Sequence, residues 1–267
     1  MKQRVITAVI ALLVFIPIIF FSNDLIFRLC FAVISAVSAI ELLQCTGAAR
    51  KLLLSVPLIL FAFCMPMTVY FVPENVKWYI AVAVMFYCMV TMVLSNGNIT
   101  SQDAGTSFTG VCFCTFAYHC VAVLREEYSW GFLLIFLAAW GSDTFAYFVG
   151  RAFGKHKLIP RISPKKTVEG AIGGALAGML LYPLFGLILT SVTDYSVNYI
   201  LLAILGFLAA IVSQIGDLIM SAIKRNYEIK DFGKIFPGHG GFLDRFDSIL
   251  TVAPLLCLAL SVFEIIY

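Results

Sequence analysis

Charge is what this sequence has least of. Asp, Glu, Lys and Arg together make up 12% of its 267 residues, about half the share usual in a soluble domain. With a mean hydropathy of +0.99, so few charges cannot cover a water-soluble surface, and a soluble globular fold is excluded. Apolar and polar residues do not alternate along the apolar stretches, and those stretches are too long for barrel strands, so a membrane β-barrel is excluded as well. The basic, apolar start of the chain runs into "FIPIIFFSND" without a small-residue cleavage site, so it is read as a retained first helix and not as a secretory signal. The eight cysteines provide no disulfide framework. Cys30, Cys64, Cys88, Cys112, Cys114, Cys120 and Cys257 fall inside apolar runs and Cys45 ends one, as small packing residues do. Cys112 and Cys114, two apart on a helix, share no face and make no metal pair. Internal repeats, a soluble domain and a nucleophile–base triad are all missing. "GRAFGKHK" lacks the Gly spacing and the Ser/Thr of a phosphate-binding P-loop.

What the chain does have is length in its apolar runs. Runs of roughly 17 to 25 residues, enough to cross a bilayer as a helix, lie near 5–21, 25–43, 52–72, 78–94, 106–124, 130–149, 169–190, 199–220 and 248–266. The expected fold is therefore an all-α bundle of about nine transmembrane helices. An N-terminal part, 1–128, would hold five of them, and a C-terminal part, 129–267, would carry the polar site. Basic residues set the orientation. With the N-terminus inside, fifteen of the eighteen Lys and Arg fall on the cytoplasmic side, eleven of them in segments 150–168 and 221–247.

The positive-inside rule alone would explain those basic segments, with attraction to anionic lipid as a supplement. It does not explain the acids beside them. Asp143, Glu169, Asp217, Asp244 and Asp247 all sit at or just within the expected cytoplasmic helix ends. A charge at a helix centre costs about 2.5–3.5 kcal/mol on insertion scales, so such residues face an interior or an aqueous cavity. Ser213, Asp217, Ser221 and Lys224 follow one helical stripe. Asp244 and Asp247 are three apart and would share a face if the last helix began there. Two carboxylates about 4 Å apart repel by about 4 kcal/mol at an effective dielectric of about 20, and a bound cation relieves the conflict. Oxygen ligands alone favour Mg²⁺ or another hard ion, with room for a second cation. The alternative is a set of structural ion pairs to Lys224, Arg225 or Arg245.

The basic side reads as phosphate recognition. "RISPKKTVEGAIGG" places Ser163 as an N-cap and Pro164 at the first helical position, with Lys165 and Lys166 in the first turn. Cations there oppose the helix dipole, which makes sense with an anion bound between them. The glycines around His239 in "FPGHGGF" permit close backbone approach to a ligand. Gly170, Gly174 and Gly178 form a ridge suited to helix packing, and such glycines permit a homodimer. His119 is expected to be a satisfied interior side chain. Acidic ligands beside clustered Lys and Arg at one membrane face suggest phosphoryl or nucleotidyl transfer between a soluble polyphosphate and a lipid headgroup.

The stretch "SAIKRNYEIKDFGKIFPGHGGFLDRFD" resembles the signature of the phosphatidate cytidylyltransferases, also called CDP-diacylglycerol synthases. Ser221, Lys224, Arg225, Lys230, Asp231, Gly233, Pro237 to Gly241, Asp244, Arg245 and Asp247 all match at that family's spacing. "SDTFAYFVGRAFGKHK" and "ISPKKTVEG" resemble its upstream motifs, so the likeness is close over most of the C-terminal half and only general over the first five spans.

The resemblance implies transfer of a cytidylyl group from CTP to phosphatidate, with Mg²⁺, giving CDP-diacylglycerol and pyrophosphate for phospholipid synthesis. It implies a multi-pass protein of a bacterial inner membrane with membrane lipids around it and no nucleic-acid partner. Asp217, Asp244, Asp247 and Asp143 are then expected at metal ions. Lys165, Lys166, Lys224 and Arg225 are expected at the triphosphate and lipid phosphate, with His239, Gly240, Gly241 and Arg245 also toward substrate. Asp217, Asp244, Lys224 and Arg225 are the expected catalytic set. Two other readings stay open: an ion-coupled transporter, which would place its acids near the bilayer midplane between repeated halves, and a transferase acting on a polyprenyl phosphate.

Overall fold

A computed structural model describes residue 13 and residues 15–266. Residues 15–21 are helical; the rest of the expected first span, with Lys2 and Arg4, lies outside the described residues. Nine helices follow: α1 (Asp24–Cys45), α2 (Leu52–Met67), α3 (Glu74–Leu94), α4 (Ser101–Tyr128), α5 (Leu133–Phe153), α6 (Val168–Val192), α7 (Tyr199–Asn226), α8 (Leu243–Phe246) and α9 (Ile249–Val262). Two short strands, β1 (Lys157–Ile159) and β2 (Ser163–Thr167), stand between α5 and α6.

Helices α1, α3, α4, α5, α6 and α7 are long and apolar enough to cross a bilayer, and α2 and α9 are shorter apolar helices. The chain is a polytopic helical membrane protein. Helix α2 falls short of its expected span, ending at Met67, and carries Pro57 and Pro66 within it, each of which removes one helix hydrogen bond. After α9 the chain turns extended, where Asn198 N–H donates to the Ile265 carbonyl and Val197 bridges Ile266.

The described chain forms two compact units, one of residues up to Ala122 with Asn226–Phe246, the other of Val123–Arg225 with Asp247 onward. In the first, α1 lies against α2, and Phe27, Phe31, Leu54 and Leu58 are fully buried. Tyr118 on α4 packs near Phe31 and Phe246, with ring centroids 6.2 and 6.0 Å away, and its hydroxyl bonds Ser38 at 2.9 Å. His119 bonds the Met65 carbonyl through Nδ1 at 3.0 Å, the satisfied interior histidine that was expected.

In the second unit, α5 and α6 make the most extensive helix pair. Glycine sets their distance: a Cβ on Gly170 would strike the Ala146 carbonyl, and one on Gly174 the Ser142 carbonyl. Gly178 meets the Gly206 carbonyl of α7 in the same way. The glycine ridge is thus used within the chain.

Ser163 does not cap a helix, and Lys165 and Lys166 do not lie in a first helical turn; all three belong to β2, which pairs antiparallel with β1. The helix begins at Val168, where the Thr167 hydroxyl accepts from Gly170 N–H at 3.2 Å and Glu169 supplies the first-turn acid. A threonine cap and an acid agree with the helix dipole, which two lysines in that turn would oppose.

Candidate active site

The second unit gathers three aspartates and two lysines. Helix α7 carries Asp217, and contacts to its neighbours fix its rotation. Ser213 bonds Ser142 of α5 at 3.2 Å, Gln214 donates to the Ala171 carbonyl of α6 at 3.2 Å, and Thr251 of α9 donates to the Val212 carbonyl at 2.9 Å. Gly216 lets the start of α9 approach, since a Cβ there would strike Thr251 and the Asp247 carbonyl. Asp217 is thereby hydrogen-bonded to the Asp247 side chain and ion-paired with Lys166 at 2.5 Å. Ser221, one turn on, donates to Asp217 at 3.4 Å, as the predicted stripe requires. Lys224, buried at 8% exposure, acts electrostatically on both Asp217 and Asp247. Asp143 lies within electrostatic reach of Lys166 and Asp217.

Burial, reinforced by the Asp217 carboxylate, raises the Asp247 carboxyl above the usual carboxylate range. A protonated Asp247 can donate to Asp217, and a hard cation could replace that proton. Among the described residues no three His, Cys, Asp or Glu side chains form a ready-made cation cage. Mg²⁺ does not need one, because it is commonly held by one or two carboxylates together with substrate phosphates and water. The donor chemistry of the Asp217–Asp247 pair fits such an ion.

The first unit builds a separate feature from the signature loop. Asp244, 7% exposed, accepts backbone N–H groups from Phe232 at 2.8 Å and Gly241 at 2.9 Å, both through Oδ2. Between these points the chain makes a tight turn in which Phe236 N–H donates to the Gly240 carbonyl at 2.9 Å and His239 N–H to the Phe236 carbonyl at 2.8 Å. Gly238 and Gly240 have φ of 78° and 86°, left-handed values that favour glycine. The loop borders an open cavity of about 570 Å³, lined by Lys230, Asp231, Lys234, Phe236, His239 and Arg245 among others. Its charged lining is net basic, and His239 Nδ1 is buried without a hydrogen-bond partner among the described residues. The cavity suits a polyanion.

The sequence profile of the cytidylyltransferase family matches residues 2–263. The chain belongs to this family. Among its curated relatives, the phosphatidate cytidylyltransferase of Bacillus subtilis is 35% identical over 275 aligned positions, covering 99% of both chains. Those of Staphylococcus haemolyticus and Staphylococcus epidermidis are 35% and 36% identical, each covering 96% of this chain and 97% of the relative.

Within this cytidylyltransferase-family chain, the predicted site residues divide between the two units. Asp143, Lys165, Lys166, Asp217, Lys224, Arg225 and Asp247 belong to the second; His239, Gly240, Gly241, Asp244 and Arg245 belong to the first. Lys165, Arg225 and Arg245 are exposed, Lys166 and Asp217 half-buried. Asp244 and Asp247 do not share a helical face, because α8 ends at Phe246 and α9 starts at Ile249. Asp217 is ion-paired with Lys166, a cation that the structural ion-pair alternative did not include. All eight cysteines are free. The P-loop look-alike is no loop at its first glycine: Gly150 lies inside α5, and His156 instead bonds Glu169 at 2.7 Å.

Sequence reasoning missed Glu41. It is 3% exposed on α1 and accepts the backbone N–H groups of Phe242 and Leu243. The signal was present, since Glu41 is an acid within an apolar run, as Asp217 is.

Proposed function

We propose that the protein is a membrane nucleotidyltransferase that converts CTP and phosphatidate to CDP-diacylglycerol and pyrophosphate. The observation that carries this reading is the Asp217–Asp247 carboxylate pair flanked by Lys166 and Lys224, in a chain whose curated relatives are named phosphatidate cytidylyltransferases. Acids and lysines in one cluster suit a reaction between two anions, which repel unless their charge is offset.

A phosphate oxygen of phosphatidate attacks the α-phosphorus of CTP. The new bond is P–O–P, the bond from the α-phosphorus to the bridging oxygen of the β-phosphate breaks, and pyrophosphate leaves with that electron pair. The attacking group is already an oxyanion, so no strong general base is required. Asp217 and Asp247, with Asp143 as a further candidate in the same unit, would hold Mg²⁺, which would neutralise phosphate charge and favour in-line geometry. Lys166 and Lys224 orient phosphate oxygens by charge, with Lys165 and Arg225 as exposed supplementary cations. In the first unit, Lys230, Lys234 and Arg245 bind the polyphosphate, and His239 Nδ1 offers the nucleotide a hydrogen-bonding atom. Both basic segments and the N-terminus face the cytoplasm, where CTP is available.

The position of label in CTP tests the reaction. Label on the α-phosphate should appear in a lipid product, and label on the γ-phosphate in free pyrophosphate. Transfer of the γ-label to lipid would identify a kinase and overturn the reading.

A further inference from the structure

We propose that Glu41, a residue of transmembrane helix α1, positions the signature loop so that its cavity holds the nucleotide; this rests on reading that cavity as the CTP site. A carboxylate buried within a transmembrane helix is retained only where it is used. Glu41 uses both oxygens on one target: Oε1 accepts Phe242 N–H at 3.0 Å and Oε2 accepts Leu243 N–H at 2.9 Å. The loop is shaped around that carboxylate. A Cβ added at Gly233 or at Gly241 would collide with Glu41 Oε1, so side chains are absent where the backbone passes closest. Asp244 draws Phe232 and Gly241 together. The two acids therefore fix both ends of the segment that supplies Lys234, Phe236 and His239 to the cavity wall.

The chemistry favours glutamate over near relatives. Bonds from N–H to a carboxylate are stronger than those to a neutral amide. Glutamine has a single acceptor oxygen, and its NH₂ would oppose one of the two backbone donors. Glu41 touches no lining atom of the cavity through these bonds, so it is a positioning residue. Its loss should be felt at CTP and not at phosphatidate.

The test compares the full-length protein with Glu41→Gln and Glu41→Ala, varying CTP and phosphatidate separately and following backbone hydrogen exchange. Glu41→Gln should raise KM for CTP about tenfold, equivalent to about 1.4 kcal/mol, and leave KM for phosphatidate within about twofold. Glu41→Ala should raise KM for CTP further. Amide protection should fall across 232–243 and persist in α5 and α6. If Glu41→Ala does not fold, the isosteric Glu41→Gln carries the result alone. An unchanged KM for CTP, or equal losses for both substrates with protection falling throughout, would overturn the proposal. Lys234→Ala and Arg245→Ala serve as cavity controls. If they raise KM for CTP while the Glu41 variants do not, positioning fails and the cavity reading stands. If they leave it unchanged, the cavity reading fails and the proposal with it.

Discussion

Replacing Asp217 by Asn preserves its size and removes its charge, which separates a cation site from a structural ion pair. As a cation ligand, Asp217 should be required for turnover: Asp217→Asn should lower kcat by about 100-fold or more and leave the unfolding midpoint within about 4 °C. As a mere partner of Lys166, its loss would strand a half-buried ammonium, cost about 3–5 kcal/mol of stability and leave the folded fraction active. Mg²⁺ titration of the variant is the readout. Near-normal turnover with unchanged Mg²⁺ dependence would remove Asp217 from the cation site. At this scale the sequence was legible wherever spacing sufficed, as with Asp217 and Ser221 one turn apart on α7. The Lys166–Asp217 pair was not legible, because the partners are 51 positions apart, one on β2 and the other on α7, and meet only in the folded chain. The acid Glu41 was visible within its apolar run, but its partners were not legible for the same reason, lying about 200 residues away.

Helix ends and helix contacts make their own predictions. Gly178 lies against the Gly206 carbonyl, so Gly178→Leu should force α6 and α7 apart and cost about 1–3 kcal/mol or more, read as a lowered unfolding midpoint in detergent. An unaltered midpoint would mean that the two helices do not depend on that close approach. Thr167→Ala removes the cap of α6 and should cost about 1 kcal/mol, whereas Ser163→Ala should cost almost nothing. The transmembrane helices were legible because long apolar runs leave one solution in a bilayer. The start of α6 was misread because Ser-Pro-Lys-Lys fits a helix entry by local rules, while pairing of Ile159 with Ser163 and of Lys157 with Thr167 makes it a strand. That pairing depends on a second segment, so no local rule contains it.

For the whole molecule, the distribution of fifteen basic residues on one side against three elsewhere fixes the expected topology. Cysteines introduced near Lys157 and Lys234, in a background without the native eight, should resist a membrane-impermeant reagent in sealed cells and react after permeabilisation. Rapid labelling in intact cells would reverse the orientation.

The central claim is that the acids serve transfer of a nucleotidyl group and not movement of an ion. The most direct measurement uses purified protein in vesicles without any ion gradient, supplied with CTP, phosphatidate and Mg²⁺, with lipid-linked cytidylate and pyrophosphate followed together. The expected result is equal formation of both products, abolished by chelating the Mg²⁺ and restored by adding it back. Solute flux with no cytidylate-bearing lipid, or product formation that appears only when a gradient is imposed, would contradict it.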